Sequence, residues 1–395
     1  MHKYLPLAVL YFFFNNAGLP GGLTYTTLLA PLFYVWLLLQ GKRWVTFKFL
    51  MCLLPFVLAH AIVGIDSAFY YARSSLFLWT AYVTVYTFYS GLLNCKTLER
   101  LFEQLIILNF WAAMVAIPLL FTPLRDVLWV DQSGTIEGAG RVLRLKMLTL
   151  EPSGYAAVME PLLIFAVIRL LIYPGKRNFR YVALIVIPFL LCQSFGGIGM
   201  SLAGISASML VNYRNIFRWR GTRIVMVVGA ALILVLLLTN NVISVRAQNL
   251  ILGDDPSTRA RTDLSFILAY LIASAKSLWW GAGLGQAKLV GAPIVAAIQM
   301  GFTEARIPNA VAGTFAEFGI VGVVVRFSVE IYLFVRTRVY RNPFRLAMFV
   351  VAFILQLTGS YLMSVEEYLI WCFAFGPFFP EMDIQMRKQR KVVGV

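Results

Sequence analysis

Long apolar runs separated by short polar interruptions make up most of this chain, and within each run the apolar residues are continuous. Continuous runs satisfy their own backbone as helices in lipid, whereas barrel strands alternate from residue to residue. The first five runs lie at about Tyr4–Phe14, Leu23–Leu39, Phe49–Gly64, Ser75–Leu93 and Leu105–Phe121. A sixth starts near Tyr155 and ends at PGKRNFR, and a seventh and eighth form a hairpin that turns near Phe195-Gly196-Gly197. The ninth covers about Ile224–Thr239, the tenth runs from near Asn309 to RTRVYRNPFR, and the last two turn around Val365-Glu366-Glu367. The pattern predicts an all-α polytopic membrane protein, a single integral membrane domain over residues 1–395 with about twelve transmembrane helices. MHKYLPLAVLYFFF resembles a signal sequence, but further spans follow at once and it reads as a retained first helix.

Composition agrees with that reading. Of 395 residues, 60% are hydrophobic and 13% charged, and the mean hydropathy is +0.78. A soluble domain of this size needs more polar surface. The net charge of +16 does not call for a nucleic-acid partner. Most Lys and Arg fall in the short alternate loops GKR, CKTLER, PGKRNFR, RNIFRWRGTR and RTRVYRNPFR and in the C-terminal MRKQRK. Such loops face the cytoplasm, which places both termini there. Cys52, Cys95, Cys192 and Cys372 lie in or beside apolar runs without metal-ligand spacing and read as buried thiols.

Two stretches do not fit span plus short turn: an outer loop over 122–154, and a larger one over 241–308 that is the candidate catalytic loop. The first carries Arg125, Arg141, Arg144 and Lys146; the second carries Arg246, Arg259, Arg261, Lys276, Lys288 and Arg306. Basic residues on the translocated side oppose the orienting bias, so they need a reason. Asp126, Asp131, Glu137, Asp254 and Asp255 could absorb some of them in ion pairs, but not all. An anion site accounts for the rest, because guanidinium matches diphosphate oxygens with planar, bidentate geometry.

WWGAGLG (Trp279–Gly285) lacks the strand-turn-helix setting of a dinucleotide fingerprint, and its glycines read as tight backbone turns. GDDPSTRARTDLSF reads as a helix start, with Asp255 as cap and Pro256 in the first turn, and the helix is expected to lie along the outer surface. The only histidines are His2 and His60, so none is expected at the second loop and a serine–histidine triad or histidine metal site is excluded there. Arg326 and Glu330, spaced i,i+4, read as a structural pair, whereas the intramembrane Glu160 has no such explanation.

Three pieces then fall into a known order. RLKMLTLEPSG, STRAR with WWGAGLG, and PNAVAGTFAEFGIVG resemble the O-antigen polymerase and ligase superfamily. That family shows a His-Asn pair, a Glu eight residues on, then Gly two and Gly three further; Asn309, Glu317, Gly319 and Gly322 match, with Pro308 in place of His. Arg144 and Pro152 match the family's Arg followed by Pro. The resemblance covers under a third of the chain. It implies a GT-C-like bacterial inner-membrane glycosyltransferase whose active site faces the periplasm and whose donor and acceptor are undecaprenyl-diphosphate-linked oligosaccharides. It needs no metal and no cofactor, and a chain-length regulator and a flippase are further partners it suggests.

On that resemblance Arg144 and Arg261 are the candidate catalytic arginines, stabilising the diphosphate leaving group, and Glu151 and Glu304 are the candidate bases. Arg141, Arg259, Arg306, Arg73 and Asn309 are candidate substrate-binding residues. Pro308 stands where ligases carry a histidine, which favours a Wzy-type polymerase joining repeat units of O-antigen, capsule or exopolysaccharide. The alternatives are a ligase with another acceptor, a transporter or flippase of lipid-linked glycan, and a peptidoglycan glycosyltransferase of the SEDS type. A flippase predicts paired repeats and broken helices at matching places, and no convincing repeat is visible.

Overall fold

The computed structural model describes residues 4–14, 18–19, 23–131, 143–211, 256–298 and 305–384. These are mostly helical. The first half holds α1 (Leu5–Phe14), α2 (Tyr25–Leu39), α3 (Val45–Val63), α4 (Ala68–Leu93), α5 (Leu98–Ala116) and the short α6 (Arg125–Leu128). Then come α7 (Pro152–Ile172), α8 (Lys176–Cys192) and α9 (Phe195–Val211). The second half holds α10 (Pro256–Arg261), α11 (Asp263–Ser274), α12 (Ala287–Ile298), α13 (Ala310–Arg336), α14 (Pro343–Thr358) and α15 (Val365–Phe375). Two small antiparallel pairs depart from the all-α expectation: β1 (Gly18–Leu19) with β2 (Leu23–Thr24), and β3 (Trp129–Asp131) with β4 (Leu143–Leu145). In the second pair Val130 lies opposite Arg144.

Among the described residues, five helices are long and apolar enough to cross a membrane: Val45–Val63, Ala68–Leu93, Leu98–Phe121, Pro152–Ile172 and Ala310–Arg336. Several of the expected spans are shorter. α2 has 15 residues, about 22 Å at the helical rise, against a hydrocarbon layer of about 30 Å. Chain breakers set these ends. α14 stops at Gly359, and α15 stops at Gly376, which Pro377 follows. The ninth expected span, Ile224–Thr239, lies outside the described residues, as do Arg141, Glu304, Arg246, Glu137, Asp254 and Asp255. The expected turn at Phe195 is present: Gln193 adopts a left-handed conformation between α8 and α9.

α7 is the centre. Nearly nine-tenths of its apolar window (89%) is buried, and its Tyr155 and Phe165 sit in one core with Phe12, Phe88, Phe102, Phe344, Phe373 and Phe379. α5 meets it through Leu101, Phe102, Leu105, Ile106 and Asn109, a helical spacing that puts one face inward. Tyr155 donates to Asn109 Oδ1 at 2.7 Å, which satisfies its hydroxyl inside the core. α9 buries small residues at turn spacing, Gly197, Ser201, Gly204 and Ser208; Gly197 lies against Ala156 of α7, and Gly204 against α14. A Cβ on Gly204 would stand 2.6 Å from the Ala347 carbonyl oxygen, so the backbones touch there.

The two ends of the bundle differ. At one, Arg169 pairs with Glu103 (2.6 Å) and Glu99 (3.3 Å), Arg177 also pairs with Glu103, and Tyr173 reaches the Glu381 carbonyl. Burial and the neighbouring Glu99 push the Glu381 carboxyl up to about 7. At the other, the loop face, α7 begins, α8 ends, and the segments around 261, 309 and 357 are joined by hydrogen bonds. Gly204→Val is expected to cost about 1–3 kcal/mol by overpacking the α9–α14 contact, read as a lower unfolding midpoint in detergent. An unchanged midpoint would mean that the helices can part there at no cost.

Candidate functional site

The loop face is organised by a break in a helix. α13 loses helical geometry at Gly319 (φ 66°, ψ −163°), which frees two carbonyls below the break and two amides above it. The residues Leu278–Gly283, which run into WWGAGLG, fill all four positions. Ala282 and Gly283 donate to the carbonyls of Ala316 (2.8 Å) and Glu317 (3.0 Å). Ile320 and Val321 donate to the carbonyls of Leu278 (2.9 Å) and Trp279 (3.1 Å). This close approach leaves no room for side chains: a Cβ on Gly319 would lie 2.3 Å from the Trp279 oxygen, and one on Gly281 2.5 Å from the Glu317 carbonyl carbon. Both glycines also hold positive φ.

The same segment is pinned on its other side. Gln286 accepts from Ser67 N at 2.9 Å and donates to Ser67 O at 3.0 Å, while Ser67 caps α4. His60 reaches the Trp280 carbonyl through Nε2 (2.8 Å) and Tyr71 Oη through Nδ1 (2.9 Å). A carbonyl only accepts, so Nε2 carries a proton; in the neutral ring Nδ1 then accepts from the tyrosine. The expectation that no histidine reaches the second loop is therefore corrected: His60 is in the last turn of α3 and touches that loop directly. Both ring nitrogens are engaged, and the residue is buried.

Asn309 is fully buried and caps α13 through Oδ1, which accepts from Ala312 N at 2.9 Å. Its Nδ2 donates to the carbonyls of Arg261 (2.9 Å) and Leu357 (2.5 Å). Its side chain thus joins α10, α13 and α14, and in this structure it holds the Arg261 backbone. The Arg261 guanidinium lies over Gly359, where an added Cβ would come within 3.2 Å of it.

Three candidate residues from separate segments, Glu151, Arg261 and Arg306, act electrostatically on Tyr361, in the turn before α15. The Tyr361 phenol is pushed up by burial around its oxygen and by Glu151, and drawn back by Arg261 and Arg306, although the residue as a whole is 53% exposed. Glu151 precedes the first turn of α7 without capping it through its side chain, and it accepts from Ser153 Oγ at 3.0 Å. Arg306 is exposed. The group holds two arginines and one carboxylate that act on one phenol.

No protein-family model matches this chain, and no curated protein is significantly similar to it.

The other candidates have different settings. Arg144 is buried, on β4, and its Nε donates to the Cys192 carbonyl at the end of α8 (3.1 Å). A cation there also faces the negative end of that helix. Arg259 is exposed on α10, and Arg73 lies over the Phe77 ring at 5.4 Å; neither acts on Tyr361. Lys276 pairs with Asp66 (2.5 Å) and Arg125 with Asp131 (3.3 Å), so acids do absorb part of the basic excess.

Arg326 has a wider setting than an i,i+4 pair. Its closest partner is Glu367 of α15; its Nε also donates to Gln356 of α14 at 2.7 Å, and Gln356 in turn reaches Glu330. The direct Arg326–Glu330 contact is longer, 3.8 Å. A cavity of about 530 Å³ opens beside this cluster, between α3, α4, α13 and α15, and is lined by Tyr82, Tyr89, Leu333, Tyr368 and Trp371. It is apolar, and none of the arginines around Tyr361 lines it.

Sequence reasoning matched Glu317 to a pattern without giving it a role, and it missed Tyr71. The Glu317 carboxylate accepts the Gly285 N–H, its field acts on Tyr71, and its Oε2 has no hydrogen-bond partner. Only the fold of WWGAGLG against α13 brings these groups together, so no local signal pointed to them.

Two glycine substitutions separate a strained position from an open one. Gly319→Ala is expected to cost on the order of 3 kcal/mol, combining left-handed strain with the clash on Trp279. Gly313→Ala, where the nearest atom would be 3.8 Å away, is expected to gain about 0.5–1 kcal/mol from helix propensity. Thermal unfolding of the two purified variants checks both signs.

Proposed function

We propose that this chain is a Wzy-type membrane glycosyltransferase that joins undecaprenyl-diphosphate-linked oligosaccharide repeat units at the loop face, with that face in the periplasm. The reading rests on one observation above the others. Arg261, Arg306 and Glu151, drawn from three separate segments, act on Tyr361 at the end of a bundle of apolar helices. Paired arginines beside a carboxylate suit the chemistry of a diphosphate leaving group.

In the reaction the acceptor hydroxyl oxygen attacks the anomeric carbon as the carbon–oxygen bond to phosphate breaks. The electron pair stays on the diphosphate, where fixed guanidinium groups stabilise the added charge. In this reading Glu151 takes the hydroxyl proton. The apolar cavity bounded by Tyr82, Leu333 and Trp371 suits a lipid chain.

Two features weigh on the alternatives. A helix broken inside the membrane is a mark of transporters, where the freed groups line a substrate cavity. Here Leu278–Gly283 occupy them, which gives the flippase reading no open site at Gly319. A ligase histidine has no stand-in at Pro308, and His60 has both nitrogens engaged. The polymerase is therefore favoured over transfer to a different acceptor.

In vesicles supplied with lipid-linked repeats, Arg261→Ala and Arg306→Ala are each expected to slow chain growth by about 10²–10³. Lysine should restore little, because it lacks the planar fork. Arg144→Ala should also lower stability, by about 1.5–3 kcal/mol for a hydrogen bond from a charged group, so the first two variants carry the test. Wild-type rates in both would remove the anion site.

A further inference from the structure

Glu160 is the residue that neither the fold nor the proposed reaction uses. It lies in α7 just before Pro161, has no exposed surface, and among the described residues neither of its carboxyl oxygens has a hydrogen-bond partner. At eight residues from the start of α7 it is about 12 Å below the loop face. A carboxylate so placed, without counter-ion or donor, is far costlier than the neutral acid.

Two other unsatisfied groups converge on it. Glu366, in the first turn of α15, acts on Glu160 through its field; its Oε2 accepts from Ser364 Oγ at 3.3 Å and its Oε1 has no partner. Tyr11 of α1 is buried (3% exposed), its hydroxyl has no partner among the described residues, and both carboxyls act on it. α9 closes another side, with Gly197 against Glu160 Oε1. The remaining titratable neighbours are Cys192 beside Glu160, Cys372 beside Tyr11 and Glu151 beside Glu366. Arg144 acts on Cys192. Glu366 thus links the enclosed Glu160 to the group around Tyr361.

We propose that Glu160, Glu366 and Tyr11 form an intramembrane proton-binding site, which keeps one proton on Glu160 and takes a second at Glu366 from the loop face. Two carboxyls close in space ionise one at a time, and the more enclosed one keeps its proton. The consequence for turnover rests on the glycosyl-transfer reading. There the acceptor O–H bond breaks and its electron pair goes into the new C–O bond, the proton passes to the Glu366 carboxylate, and the anomeric carbon–oxygen bond to phosphate breaks with its electron pair leaving on the diphosphate. Glu366 is then a second acceptor for the hydroxyl proton beside Glu151.

The test is infrared spectroscopy of the purified full chain with no glycan present. The expected result is a protonated-carboxyl carbonyl band at neutral pH, moved by deuterium exchange and lost in Glu160→Gln. A second such band should grow on acidification and be absent from Glu366→Gln. Tyr11→Phe, which deletes only a hydroxyl, should shift the first band and serves if the core glutamine variant does not fold.

A resting band that survives Glu160→Gln, or no acid-induced band tied to Glu366, overturns the proposal. So does a resting band abolished by sodium chloride but not by choline chloride, which would make this a cation site. In the chain-growth assay Glu366→Gln should slow turnover by about 10²–10⁴. An unchanged rate would sever the site from the reaction. Failure of the wild type to extend cognate repeats would defeat the glycosyl-transfer reading alone, because the infrared result needs no substrate.

Discussion

A helix that breaks inside an apolar environment must have its freed backbone groups satisfied by protein, because lipid offers no hydrogen bonds. The rest of the loop face depends on how this chain meets that constraint. The break at Gly319 exposes four backbone groups, and the residues Leu278–Gly283 supply four matching ones. Helix and loop hold each other in place. His60 and Gln286 then fix the outer side of the loop to the ends of α3 and α4. With that segment anchored, Asn309 can cap the helix while it holds Arg261 and Leu357.

The arginine group around Tyr361 stands on this arrangement. Arg261 is held through its backbone carbonyl, which accepts from Asn309. Its guanidinium lies over Gly359, and it acts with Arg306 and Glu151 on the Tyr361 phenol. The buried Arg326 is the contrast. It is shared between Glu367 and Glu330 and bridged by Gln356, so its charge is spent in tying α13, α14 and α15 together. Arg144 lies between the two cases: buried like Arg326, yet near the face where Glu151 begins α7.

Much of this architecture was legible in the sequence, for local reasons. Helix starts at Pro256 and after Asn309, the hairpin turn near Phe195, and the apolar character of the long helices all follow from caps, breakers and composition. The shortness of α1, α2 and α15 was less legible, because an apolar run does not show where its helical geometry stops. The mate of WWGAGLG was invisible. Backbone-to-backbone bonds leave no side-chain signature, and the paired residues are 34 to 42 positions apart. For the same reason Asn309 read as a binding residue when its amide is taken up by two carbonyls. His60 read as remote because only the fold brings α3 to the loop.

The central claim is that the loop face carries out metal-independent glycosyl transfer from a lipid diphosphate. The most direct measurement incubates the purified wild-type chain in vesicles with cognate lipid-linked repeats, divalent metal chelated, and sizes the products on a gel. The expected result is a ladder extending by whole repeats. Repeats that are moved across the bilayer or passed once to another acceptor, and never lengthened, would contradict it.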